Sequence, residues 1–148
     1  MNRIRKCVLF VASAALVLFC AVFLLPKLRG DRRVLYFPSA ATQKARREVR
    51  RFPSGAGQGA LRSCVDELLL GSARRGRLAL FSPGTACEFC FVQGSVAFVG
   101  LSGEAALQLP GSADIETGMK LFRASILNNF KYIDCVELFI GGNYIESR

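Results

Sequence analysis

Two cysteines separated by two residues, Cys87 and Cys90, form the pattern in this sequence most typical of side-chain chemistry. A redox-active C-x-x-C motif normally places its first cysteine at a helix N-terminus, where the helix dipole lowers the thiol pKa. The residues around Cys87 instead have the composition of a strand. Residues three apart in a regular strand point to opposite faces, so these two thiols would meet only if the strand were distorted. A thiol–disulfide oxidoreductase is therefore kept only as an alternative.

The predicted folded domain holds four cysteines, and their fate depends on the compartment. In an oxidising compartment one or more structural disulfides are expected, and four cysteines allow three full connectivities that the sequence does not separate. Otherwise they would be buried free thiols acting as small hydrophobic side chains. A zinc site is disfavoured because the chain has no histidine and no second C-x-x-C motif. We predict no metal and no cofactor. The candidate disulfide cysteines are Cys64, Cys87, Cys90 and Cys135.

A short basic segment is the second candidate site. Five positive side chains stand close together around a single acidic residue, Glu48. Such a cluster could bind anionic lipid headgroups or acidic cell-wall polymers. The structural alternative is an exposed edge strand whose charges prevent pairing with other sheets. The candidate contacts for an anionic surface are Lys44, Arg46, Arg47, Arg50 and Arg51.

Catalysis and nucleic-acid binding are both disfavoured by composition. Histidine is absent, and the alternating Gly55, Gly57 and Gly59 lack the lysine and serine or threonine of a phosphate-binding loop. Of the net charge of +9, residues 1–33 carry seven basic side chains against one acidic, whereas the rest carries thirteen against ten. A nucleic-acid-binding domain would concentrate positive charge on its folded part. We therefore predict a protein that is not an enzyme.

The chain begins with a hydrophobic segment that has the length of a membrane-spanning helix. Residues 7–25 contain no charge, glycine or proline, and as a helix they would extend roughly 28 Å, close to the hydrocarbon thickness of a bilayer. A cleaved signal peptide is disfavoured because no small-residue cleavage site follows, and a lipoprotein signal because Cys20 follows Phe19. The expected organisation is a cytoplasmic N-terminus (1–6), a transmembrane anchor (7–25), a basic linker (26–33) and a domain (34–148).

Periodicity and turn residues predict the elements of that domain in the order β-β-α-β-β-β-α-β. The expected fold class is α/β of the α+β kind, a small sheet with two helices packed on one face. Gly71 should end the first helix, and Ser112 or Asp114 should cap the second. The predicted elements are strands at 34–37, 44–52, 77–81, 87–92, 96–101 and 135–140, and helices at 60–70 and 112–130.

Six segments carry recognisable turn and apolar motifs in a fixed order, at 34–38, 60–71, 82–85, 93–102, 121–130 and 136–142. Together they resemble the GerMN domain, the sporulation and spore-germination domain. The resemblance covers residues 33–145. It includes an opening strand, a first helix ending in Leu-Leu-Leu-Gly, a Pro-x-Gly-Thr-like turn, a Gly-containing hairpin strand, a second helix and a last strand ending in Gly. The sequence departs from the family pattern at Ser72, Gly100 and Ala124-Ser125.

The resemblance implies a membrane-attached, extracytoplasmic domain without known enzymatic activity. Relatives are similar to the ring-building domains of envelope channels and secretion assemblies. Expected partners are therefore the membrane, envelope proteins or further copies of the chain, with peptidoglycan as another candidate and no nucleic acid. The charges on both sides of residues 7–25 leave the orientation open, so the placement of the domain outside the cytoplasm rests on the resemblance.

Overall fold

The computed structural model of the protein describes residues 30–52 and 58–146, together with Ser13, Ala15, Leu18 and Phe19, which are helical. The predicted N-terminus (1–6), nearly all of the predicted anchor (7–25) and the first half of the predicted linker (26–33) lie outside the described residues. Among the residues that are described, no helix combines the length and the apolar character needed to cross a bilayer.

The first part of the domain is an antiparallel pair of strands, β1 (Asp31–Pro38) and β2 (Ala45–Phe52). Alternate residues of β1 point into the core, and Leu35 and Phe37 are fully buried there. On β2 the same alternation buries Glu48 and Phe52 and leaves most of the arginines in solvent. Both predicted strands are therefore present, and β1 begins three residues before the predicted Val34.

Helix α1 (Gln58–Leu69) follows and packs on the second sheet. Its leucine and valine positions, spaced three and four apart, form one buried stripe, as predicted. Gly71 has a φ of +82°, a conformation that favours glycine, and ends the helix where the sequence predicts. The fully buried residues of α1 are Leu61, Cys64, Val65 and Leu68.

The second sheet has four strands in the order β3-β4-β5-β6. Strands β3 and β4 form the predicted hairpin through a two-residue turn at Gly94-Ser95. Strand β5 then lies parallel to β4, which requires a long crossover connection. That connection contains a short 3-10 helix (Gly103–Ala106) and helix α2 (Ile115–Asn129). The strands are β3 (Cys87–Gln93), β4 (Val96–Leu101), β5 (Cys135–Ile140) and β6 (Asn143–Ile145).

Helix α2 joins the two sheets because it lies along the open edge of β1 and also touches β5. Asp114 caps its N-terminus by accepting the Thr117 N–H at 2.9 Å, which lowers the pKa of Asp114. Near its C-terminus, Asn129 accepts the Val34 N–H at 2.8 Å and donates to the Val34 carbonyl at 2.7 Å. Ser125 likewise accepts the Tyr36 N–H at 3.0 Å. Two helix side chains thus take the place of a neighbouring strand.

The predicted α+β class and the two helices are present, but the prediction of a single sheet is wrong, because the domain has two sheets. The first sheet stays two-stranded because α2 occupies the edge of β1 where a third strand would pair. The predicted strand at 77–81 is also absent. Arg77 and Ala79 form only isolated bridges, to Ser39 and Ser112 respectively, because this segment crosses between two loops. Strand β6, which follows the turn at Gly141-Gly142, was not predicted.

Candidate functional site

The predicted anionic-surface residues lie on and next to β2, and four of the five are exposed. The outward face of the β1–β2 pair carries three arginines around two partly exposed valines that lie opposite each other, Val34 and Val49. We call this surface the arginine face; it consists of Arg32, Val34, Arg47, Val49 and Arg51. Lys44 and Arg46 are exposed at the far end of the same strand pair. The anionic-contact hypothesis for these side chains stays a prediction.

Arg50 differs from its neighbours because its guanidinium lies inside an ion-pair network. Its Nε donates to Glu48 Oε1 at 2.8 Å, its Nη1 lies 2.5 Å from Glu67 Oε2, and its Nη2 donates to the Gly71 carbonyl at 2.6 Å. The guanidinium also lies over the Phe37 ring, 5.5 Å from its centroid. Arg50 therefore connects β2 to the end of α1, and its donors are used within the domain.

Glu48 is the buried centre of that network. Besides Arg50, it accepts hydrogen bonds from Arg77 Nη1 at 2.9 Å and the Ser72 hydroxyl at 2.5 Å. Burial alone would raise the pKa of this carboxyl, but the hydrogen bonds from Ser72, Arg50 and the Ala73 N–H outweigh it and lower the pKa. From the sequence, Glu48 was interpreted only as a negative charge that partly neutralises the basic segment. The sequence signal for its burial is that Glu48 and Phe52 lie four residues apart and therefore on the same side of β2.

The outward face of the four-stranded sheet carries a continuous chain of aromatic contacts. Neighbouring rings along it have centroids 5.1 to 6.0 Å apart, within the usual range for favourable aromatic pairs. Phe91 is 39% and Tyr144 51% exposed, and the other rings are half-buried. We call this surface the aromatic face; it consists of Phe89, Phe91, Phe98, Phe139 and Tyr144.

Gly100 makes room for the central ring of this face. A Cβ at position 100 would lie 2.2 Å from the Phe89 ring, so only glycine lets that ring lie flat on β4. Glu137 on β5 adds a negative charge beside the rings, and its hydrogen bond with the Tyr144 hydroxyl raises the pKa of Tyr144. Sequence reasoning found these strands but not this surface. The signal was available, because phenylalanines recur at the positions of β3, β4 and β5 that alternate with core residues.

The four candidate cysteines lie in three different environments, and all four are free thiols. Cys64 is fully buried in α1, where burial raises the pKa of its thiol to about 12. Cys135 lies on the outward face of β5, and burial together with its contact to Glu137 raises its pKa. Cys87 and Cys90 both face the core side of β3, where their mutual interaction lowers the pKa of the Cys87 thiol and raises that of the Cys90 thiol. The expectation that Cys87 and Cys90 lie on opposite faces is therefore wrong, because a bulge between Cys87 and Phe89 places both on the same side of β3.

No group of three or more metal-ligating side chains occurs within the part of the chain that the structure describes. A groove beside α2 is lined at its polar positions by Glu116, Lys120, Arg123 and Glu146. Arg123 is already used in donating to the carbonyls of Val136 and Ile145.

Solved structures with this architecture define the fold class. The first GerMN domain of the sporulation protein GerM from Bacillus subtilis is 19% identical, with a TM-score of 0.57 over 78% of this chain and 86% of that one. The tandem GerMN domains of the same protein give a TM-score of 0.59 at 17% identity. That alignment covers 79% of this chain but 41% of the tandem structure.

A third similar structure is a "Putative Lipoprotein from Clostridium perfringens", with a TM-score of 0.52 and 18% identity over 81% of this chain and 80% of that one. No protein-family model and no curated protein matches the sequence. The predicted resemblance is confirmed at the level of structure: the chain has a GerMN-like fold.

Proposed function

We propose that this protein is a membrane-anchored, non-enzymatic assembly module of the cell envelope. The observation that carries the proposal is the aromatic face, a surface of five rings on the outward side of the four-stranded sheet. Aromatic residues are enriched at the centres of protein interfaces, and contiguous exposed apolar surface commonly marks an interaction site. Structural likeness to GerMN domains and to a lipoprotein supports the envelope setting.

We further propose that the aromatic face binds the arginine face of a second copy of the chain. The two faces are complementary because guanidinium groups stack favourably on aromatic rings, and Glu137 lies beside the rings. The valines at the centre of the arginine face provide apolar contact area between the charges. Such a contact uses two different patches, so it is heterologous and can extend to further copies. An anchor at residues 7–25 would raise the local concentration and allow weak contacts to suffice.

The test uses complementary variants of the full-length protein, reconstituted in detergent and followed by sedimentation velocity across a concentration series. Phe91→Glu disrupts the aromatic face, and Arg51→Glu disrupts the arginine face. Each variant alone should associate at least about tenfold more weakly, because loss of an aromatic or arginine hot-spot residue costs more than about 1 kcal/mol of binding free energy. Mixed together, the two variants should form a dimer through one intact face from each. Arg74→Glu, an exposed charge outside both faces, should associate like the unmodified protein.

Self-association would be contradicted if the unmodified protein stayed monomeric throughout the series. It would also be contradicted if the mixture of the two variants failed to form a dimer. A site-specific photocrosslinker at position 144 in cells would then report whether a different envelope protein occupies the aromatic face. Crosslinks to the arginine face of a second copy would support the proposal. Crosslinks to a different protein would identify that protein, rather than a second copy, as the partner.

The second candidate function is binding of anionic lipids or cell-wall polymers. It is favoured by the exposure of Arg46, Arg47 and Arg51 on β2 and of Lys44 directly before it. Binding of the full-length protein to anionic vesicles or wall fragments should then fall with salt, and more after Arg46→Ala and Arg47→Ala than after the control pair Arg74→Ala and Arg75→Ala. Equal losses in the two pairs would mean that net charge alone determines binding.

A further inference from the structure

Strand β3 contains a β-bulge that changes the direction of the Cys87 side chain. In the pairing of β3 with β4, Cys87 lies opposite Leu101 and Phe89 lies opposite Gly100, so Glu88 has no partner of its own. One extra residue shifts the two-residue alternation of a strand by one position. Cys87 and Cys90, three residues apart, therefore point to the same side. The burial agrees, because Cys87 is buried and Cys90 packs against the core, whereas Glu88 is exposed.

The bulge is fixed by contacts from outside the strand. Arg62 of α1 donates from Nη2 to the Cys87 carbonyl at 2.9 Å, and it is itself held by Asp66 through an ion pair of 3.0 Å. Within the bulge, the Cys87 thiol donates to the Phe89 carbonyl at 3.3 Å. The backbone is thus held in a form that directs both thiols to the same side of β3, which a local disulfide between them requires.

The electrostatics of the two thiols are unequal. The hydrogen bond from Cys90 lowers the pKa of Cys87 against the opposing effect of burial, and the positive charge of Arg62 acts in the same direction. The same hydrogen bond and burial raise the pKa of Cys90. Cys87 is therefore the thiol that ionises more readily. It is buried, so its attack on a small disulfide takes place when the edge strand β3 opens locally.

We propose that Cys87 and Cys90 are a reversible dithiol–disulfide site that exchanges with small-molecule disulfides such as oxidised glutathione. The Cys87 thiolate attacks one sulfur of the small disulfide, forming a mixed disulfide and releasing one thiolate. The Cys90 sulfur, once deprotonated, then attacks the Cys87 sulfur and releases the second thiolate. Two electrons pass from the cysteine pair to the small disulfide, and the two protons lost by the cysteines are taken up by the released thiolates or by solvent.

The disulfide would close a ring around the bulge and thereby hold Phe89, whose ring lies on Gly100 at the centre of the aromatic face. Oxidation would thus fix the backbone beneath that surface. The chemical proposal does not depend on what the aromatic face binds, because the thiol geometry is independent of any partner.

The experiment equilibrates the full-length protein with glutathione buffers of graded composition, followed by acid quenching, alkylation and digestion. Complete cleavage after arginine and lysine gives a peptide of residues 78–120, which contains Cys87 and Cys90 and no other cysteine. We expect this peptide to appear two hydrogens lighter and without alkylation in the oxidising buffers. Additional cleavage after Glu88 should leave its two parts joined by the disulfide.

Two single variants test the order of attack. Cys90→Ser should accumulate a glutathione adduct on Cys87, because the resolving thiol is missing. Cys87→Ser should form an adduct on Cys90 at least about tenfold more slowly, since its thiolate population is smaller. Thermal melts followed by circular dichroism establish that both variants are folded. Independent alkylation or separate adducts at both cysteines of the unmodified protein in oxidising buffer would overturn the proposal, as would a crosslink from Cys87 to Cys64.

Discussion

Glu48 is a single carboxylate placed between the guanidinium groups of Arg50 and Arg77, in a setting that excludes most water. A buried carboxylate is stable only when its charge and its hydrogen-bond acceptors are matched. Here four donors provide that match, one from β2 and three from the loop after α1. The residue therefore ties β2 to the loop after α1 through ionic hydrogen bonds rather than through apolar packing.

We predict that Glu48→Gln lowers the stability of the domain at neutral pH by about 3 kcal/mol, because both arginines lose their buried counter-charge. The pKa of Glu48 is lowered in the folded state, so its stabilising effect is present above its ordinary value of 4.5 and is lost as the pH falls below that value. Urea denaturation between pH 3 and 7 should show the two proteins converging at acid pH. Glu88→Gln, at an exposed position, should give the same curve as the unmodified protein.

Residue types alone could not reveal these roles. Sequence periodicity placed Cys87 and Cys90 on opposite faces of a regular strand, and a one-residue bulge fixed by Arg62 reverses that result. Nothing local in the sequence marks the bulge, because the contact that fixes it comes from another element. Glu48 was hidden for a similar reason, since its partner Arg77 is 29 residues away.

At the scale of elements, the contact between α2 and β1 decides the architecture. Asn129 reproduces with its side-chain amide the donor and acceptor that a neighbouring strand would present to Val34. Backbone groups left unpaired at a buried edge cost free energy, so this one side chain stabilises both elements.

We predict that Asn129→Leu destabilises the domain by about 1 to 3 kcal/mol, because the Val34 N–H and carbonyl both lose their partner. The matched control is Asn128→Leu, the same change at the exposed neighbouring position of α2, which should shift stability by less than about 0.5 kcal/mol. Thermal unfolding of both variants measures the difference. Equal shifts in the two would show that the amide bridge has no specific role.

Elements with local signals were predicted well. The hairpin turn at Gly94-Ser95, the cap at Asp114 and the helix end at Gly71 each depend on residues within one turn of the chain, and all three are confirmed. The division into two sheets was missed because it depends on Ser125 and Asn129, which lie far from β1 in sequence.

At the scale of the whole molecule, the two outward sheet faces differ in chemistry. One carries rings and Glu137, and the other carries arginines around two valines. Two unlike and complementary surfaces on one molecule permit repeated head-to-tail association, and this difference is the physical basis of the proposed assembly role.

The proposed location predicts the outcome of a labelling experiment on intact cells. A single cysteine added after Arg148 in a cysteine-free background should react with an impermeant maleimide without lysis, or after opening of only an outer membrane where one exists. Labelling that requires lysis of the inner membrane would place the domain in the cytoplasm. The envelope proposal and the oxidising environment for Cys87 and Cys90 would then both be lost.

The amide of Asn129 also bears on how the chain folds as it is made. Its two bonds to Val34 span 95 residues, so the first strand waits for its lateral partner until most of the polypeptide has been synthesised. Contacts between distant parts of a chain form late, and they leave the early segments open to wrong pairing in the meantime. A nascent chain that ends before α2 would therefore remain incompletely folded, and maturation of the domain depends on completion of translation rather than on its first half.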